Sequence, residues 1–127
     1  MQNAKLAVRH VGGVIVAEVL DEFIDRLDTQ VVDEISQELL ALAPKGAQVK
    51  LVVDFGRVEF MGSSLLGTLI RLRVRTAEQD GALKICALNA TVAETLSIVK
   101  LDQILDIYKD QQSALDSFGK PKSETEA

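Results

Sequence analysis

The chain is poor in the residues that most catalytic, metal-binding or membrane-spanning proteins require. A single cysteine, Cys86, excludes an internal disulfide and fits a reducing compartment, here expected to be the cytoplasm. Histidine also occurs once, as His10 beside the Gly12-Gly13 pair, so a serine nucleophile lacks an evident base. No Cys/His cluster has metal-ligand spacing. Neither Gly-x-x-x-x-Gly-Lys-Ser/Thr nor Gly-x-Gly-x-x-Gly occurs, which removes the common phosphate cradles. No apolar run approaches the ~20 residues of a membrane span, and the N-terminus has no secretion-type apolar core. Positive charge is in deficit: 14 Lys and Arg stand against 19 Asp and Glu, a net charge of −5. Such a balance cannot neutralise many phosphates, so nucleic acid is not an expected partner. No catalytic residue, cofactor or metal is expected.

What is present suits one soluble globular domain of 127 residues, 47% hydrophobic and 26% charged. Lys5 to Val11 and Val14 to Leu20 flank Gly12-Gly13, which predicts an antiparallel hairpin. Asp28 or Thr29 caps a predicted helix with Val31, Val32, Ile35, Leu39 and Leu42 on one face, stopped by Pro44 and Gly46. Asp21 to Leu27 has no clear period. Val49 to Val53 is β-branched-rich and too short for a helix, so it reads as a buried strand. Asp80-Gly81 turns the chain into a strand from Leu83 to Leu88. Thr91 and Glu94 form a capping box for a third helix. Ile104 to Tyr108 reads as a last strand, and Gln111 to Phe118 as a short helix carrying Ala114, Leu115 and Phe118. Gly119 to Ala127 is polar and is expected to be a disordered tail. Alternating strands and helices predict an α/β architecture.

The most informative stretch is Leu51 to Gly67, LVVDFGRVEFMGSSLLG. An apolar strand ends in Asp54, and a loop then brings Ser63 and Ser64 to the start of a helix. That helix carries Leu66, Leu69, Ile70, Val74 and Ala77 at helical spacing, with Arg71, Arg75 and Glu78 on its other side. A hydroxyl at a helix N-terminus caps it, with Ser63 the expected cap, or receives an anion. Gly62-Ser63-Ser64-Leu65-Leu66-Gly67 differs by one residue from a nucleophile elbow, and without a base it does not predict a hydrolase. Asp21, Glu22, Asp25 and Asp28 read as a solvated acidic loop with an N-cap rather than a metal site. Cys86 lies in an apolar strand and reads as a buried small hydrophobe.

Asp54, Ser63, Ser64, Leu66 and Gly67, with Leu27-Asp28 before the first helix and Asn89 after the fourth strand, resemble the STAS domains of bacterial anti-sigma factor antagonists. The resemblance spans roughly Leu6 to Phe118. It implies one STAS domain over residues 1–118, a mixed sheet of about four to five strands, and helices packed mainly on one face. It further implies a cytoplasmic, non-enzymatic phosphoprotein of transcription regulation, which binds an anti-sigma factor with serine kinase activity and releases a sigma factor. Ser64 occupies the family's phosphorylation position, with Ser63 the lesser candidate and a phosphatase a possible further partner. Asp28, Phe60, Met61, Gly62, Ser63, Ser64 and Leu65 are the implied contact residues. Two positions depart from the pattern: Gly62 stands where the family has Asp, and Leu65 where it has Gly. A scaffold subunit of a stress-signalling or membrane-transporter assembly is the alternative reading.

Overall fold

A computed structural model describes residues 6–20, 29–59 and 61–118 of the chain. Strands β1 (Leu6–Val11) and β2 (Val14–Val19) form the predicted antiparallel hairpin. Gly12 and Gly13 both take positive φ, +55° and +85°, as a two-residue turn that matches strand twist requires. Helix α1 (Thr29–Ala41) leads to β3 (Lys50–Asp54), and α2 (Ser63–Glu78) to β4 (Ala82–Cys86). Helix α3 (Ala90–Ile98), a short 3-10 turn and β5 (Asp106–Tyr108) follow, and α4 (Gln111–Phe118) closes the described chain. Strands β2 to β5 pair in parallel, so the sheet order equals the chain order. This is the mixed α/β sheet that the sequence predicts.

Strand alternation divides the core in two. Ala17, Val19, Leu51, Val53, Leu83 and Ile85 face α1, α2 and α3, with Ile35, Leu39, Leu65, Leu69, Leu72, Val92 and Leu96 packed on them. Val14, Val16, Val52 and Cys86 face the other way and are covered by Ala114, Leu115 and Phe118 of α4. Covered on both sides, β3 reads as an unbroken apolar run rather than an alternating one. Asp110 caps α4 by accepting from the Ser113 amide at 2.8 Å, and that bond holds its carboxyl below the ordinary range. The Lys84 ammonium lies 5.1 Å from the Tyr108 ring and 4.6 Å from that of Phe118, further fastening α4.

Several local expectations change. The cap of α3 is Asn89, whose side chain accepts from the Val92 amide at 2.7 Å, so Thr91 and Glu94 do not form the capping box. Helix α2 buries Leu65, Thr68, Leu69, Leu72 and Thr76, while Ile70 and Val74 face solvent. Its apolar face is thus rotated from the one predicted. The last strand is shorter, beginning at Asp106 rather than Ile104. Lys5, the segment Asp21 to Asp28 with its acidic residues, Phe60 and the tail 119–127 lie outside the described residues, as does the side chain of Val31.

Candidate partner-binding site

The site grows from the C-terminal end of β3. Asp54 is buried and spends both carboxylate oxygens on neighbours. Its Oδ1 accepts from the Gly56 amide and its Oδ2 from the Gln111 side chain, each at 2.7 Å. The loop that follows is pinned along its length. Phe55 donates its amide to the Cys86 carbonyl at 3.1 Å, and Asn89 donates through Nδ2 to the Val58 carbonyl at 3.2 Å. Phe55, Val58 and Met61 are all inserted in the core shared by α1, α2 and α3. Three buried anchors in seven residues fix where the loop ends.

The loop ends at Gly62, the N-cap of α2, whose extended backbone (φ −94°, ψ −178°) supplies no side-chain cap. Ser63 and Ser64 are therefore the first helical residues, not the cap, and both are exposed. The amides of the first turn have no intrahelical acceptor, because the first such bond runs from Leu66 to the Gly62 carbonyl at 3.1 Å. No acidic residue stands in that turn to complement the helix dipole. Two hydroxyls thus sit in a positively polarised, water-accessible place. Below them the backbone is held rigidly. Thr68 donates to the Ser64 carbonyl at 3.1 Å and lies 2.6 Å from the Ser36 hydroxyl, tying α2 to α1.

The expected contact residues separate by exposure. Ser63, Ser64 and the half-buried Gly62 reach the surface together. Met61 and Leu65 do not: they are 2% and 1% exposed, and both belong to the core. As docking residues they are overturned, because an apolar side chain next to a surface loop is here the peg that holds the loop. Asp28 and Phe60 lie outside the described residues. The arginines of α2 divide likewise. Arg75 turns to α1, donating to the Leu40 and Ala43 carbonyls, while Arg71 and Arg73 are exposed on either side of the helix's outer surface.

Other chemistry is sparse nearby. Cys86 has its thiol pushed up to about 12, first by burial and then by the carboxylates of Asp54 and Asp110, so it is held as an unreactive thiol. No group of three His, Cys, Asp or Glu residues arranged to hold a metal occurs among the described residues. No helix among them is long and apolar enough to cross a membrane. A hollow of about 740 Å³, lined by Arg9, Lys50, Gln111 and Phe118, opens beside α4 on the opposite face of the sheet from Ser64. The arrangement around Ser63 and Ser64 presents a surface and a modifiable hydroxyl.

The STAS domain family model matches residues 5–114. Among solved structures, the chain is similar to an anti-sigma-factor antagonist (STAS) domain protein from Planctomyces limnophilus at 28% identity. That likeness covers 92% of this chain and 100% of the other, with a TM-score of 0.82. A serine-to-glutamate variant of RsbS from Moorella thermoacetica matches over 90% of this chain and 94% of its own, at 21% identity and a TM-score of 0.72. The anti-sigma factor antagonist SpoIIAA in its unphosphorylated form matches over 91% and 99%, at 18% identity and a TM-score of 0.67. Among curated proteins none is similar enough to match.

Proposed function

The chain belongs to the STAS domain family, and from that premise we propose that it is an anti-sigma factor antagonist switched by phosphorylation of Ser64. In this reading one domain ending near Phe118 captures an anti-sigma factor with serine kinase activity and so frees a sigma factor. The observation that carries the proposal is the exposed Ser64 in the first turn of α2, presented by a loop whose own apolar residues are buried. Ser63, Gly62 and, by their place in the sequence, Asp28 and Phe60 complete the contact. The solved structures of SpoIIAA in phosphorylated and unphosphorylated forms support the same logic.

The kinase transfers the γ-phosphoryl group of ATP to the Ser64 oxygen; the hydroxyl proton leaves to a base on the kinase, and ADP departs. The product carries about −1.5 to −2 charges at neutral pH. At the N-terminus of α2 that charge meets unpaired amides and a favourable dipole, so the domain keeps its fold. The penalty falls on the interface, through desolvation and repulsion. A loss of about 3 kcal/mol there weakens binding on the order of 100-fold. A phosphatase restores the binding form.

The test pairs chemistry with affinity. Mass spectrometry of the protein from its source cell should find phosphate on Ser64. Ser64→Ala should bind the anti-sigma factor as wild type does, and Ser64→Asp on the order of 100-fold more weakly. Equal affinity of the two variants overturns the switch. Ser64→Asp should also melt no lower than wild type, since an acid in a first turn that has none adds about 0.3–1 kcal/mol.

A second reading is favoured by one observation. Ile98 at the end of α3 is 72% exposed, and Val99, Ile104 and, in the edge strand β5, Ile107 are also exposed. Such a surface suits a standing subunit of a larger assembly, as in the stressosome to which a similar structure belongs, or of a membrane transporter. Stable co-purification with such an assembly, with Ser64 unmodified, would decide for it.

A further inference from the structure

Helix α2 has an outer face that its own fold does not use. Ser63, Gly67, Ile70 and Val74 follow one another at spacings of four, three and four, which forms one row along the helix. Ile70 and Val74 are 40% and 48% exposed. Arg71 lies on one flank of the row, the flank that also carries Ser64 two turns earlier, and Arg73 lies on the other. Their hydrogen bonds are to uncharged oxygens: Arg71 donates to the Thr68 hydroxyl at 3.4 Å, and Arg73 to the Ile104 carbonyl.

Gly67 sharpens this picture. A glycine in a helix interior costs about 1 kcal/mol relative to alanine. Here the fold gives no return, because a Cβ at Gly67 would meet nothing within 4 Å. Its bare backbone leaves room for something that approaches from outside. Charge identifies the visitor. Three arginines and one glutamate make α2 basic within a chain of net charge −5. Two outward guanidiniums flanking an apolar row complement a helix with an apolar stripe and acidic borders. They are too few to hold a nucleic acid or an anionic membrane against the repulsion of the remaining charge.

We propose that the Gly67–Ile70–Val74 face of α2 seats an acidic amphipathic helix of the partner protein, its carboxylates meeting Arg71 and Arg73. The proposal rests on the reading of this domain as a partner-binding module and adds where the partner lies and what charge it bears. It also explains how a modification at Ser64 acts: a phosphate on the flank that carries Arg71 repels the incoming acids.

The experiment uses the full chain, 15N-labelled, and a synthetic helical peptide of about four turns with leucines on one stripe and glutamates on both borders. A twin peptide carries lysine for every glutamate. The glutamate peptide should shift the amide resonances of Gly67, Ile70 and Val74, with an affinity that falls as salt rises. The lysine twin and the Arg71→Glu/Arg73→Glu protein should each bind at least about tenfold more weakly. Gly67→Gln should melt at or above the wild-type temperature yet lose about tenfold in binding, a pairing that misfolding cannot produce. Equal affinity for the two peptides, shifts confined to another surface, or self-association of the chain through α2 overturns the proposal. Ser64→Asp in the same titration separates the two claims. If it binds like wild type while Gly67→Gln does not, the docking face stands without the switch; the reverse result keeps the switch and removes the face.

Discussion

Asp54 stands in sequence as the acid that ends an apolar strand, and the structure gives it mechanical work. One oxygen closes the turn at Gly56, and the other reaches across to Gln111, joining the end of β3 to the first turn of α4. Bonds to a carboxylate are each worth about 1.5–3 kcal/mol when a partner is otherwise left unsatisfied. Asp54→Ala should therefore lower the unfolding free energy by about 3 kcal/mol. Asp54→Asn should lose less, because an amide oxygen still accepts one of the two bonds. Urea denaturation of the three proteins checks the order. A near-neutral alanine variant would mean that the loop is held by Phe55, Val58 and Met61 alone.

At the scale of the element, α2 shows what the sequence discloses and what it hides. The helix, its start near the serine pair and the strand before it are legible in Leu51 to Gly67, because strand and helix periods are strong signals there. Which side of α2 faces inward is not, and the reason is chemical. Thr68 and Thr76 count as polar in any periodicity, yet they are 0% and 2% exposed. Their hydroxyls are absorbed by Ser36 and by the Ser64, Leu72 and Arg73 carbonyls, so only methyl groups meet the core. Ile70 and Val74 are displaced outward as a result. The cap expected at Ser63 and the surface role that the resemblance implies for Met61 and Leu65 fail for a related reason, since neither helix position nor a family motif weighs a glycine cap or a buried anchor. Truncation distinguishes the two faces. Leu72→Ala should cost about 2–5 kcal/mol of stability, whereas Val74→Ala should stay within about 0.5 kcal/mol. Comparable losses at both positions would return α2 to the orientation its hydrophobic pattern suggests.

Across the whole molecule, the serine-bearing helix and the cysteine-bearing face sit on opposite sides of one sheet, and the layer beneath α4 reports on its integrity. Cys86 is fully buried between the strands and Ala114, and its thiol is held up to about 12 against 9.0 in the unfolded chain. The sign of the linkage follows directly. Below pH 9.0 both states carry the proton and the group adds no pH dependence. Between 9.0 and about 12 the unfolded chain has released it while the folded chain retains it, so stability falls as pH rises through that window. A difference between two proteins that differ only at this thiol removes the contribution of every other group. Wild type should lose more stability than Cys86→Ala from pH 9.0 upward, and the two curves should run parallel below it. Ellman's reagent at neutral pH should find the thiol only after urea opens the α4 layer. Parallel curves throughout, or immediate labelling of the native protein, would mean that α4 does not seal this face. The sheet's second layer would then be a loose cover, and the Asp54–Gln111 tie could not steady the loop that carries Ser64.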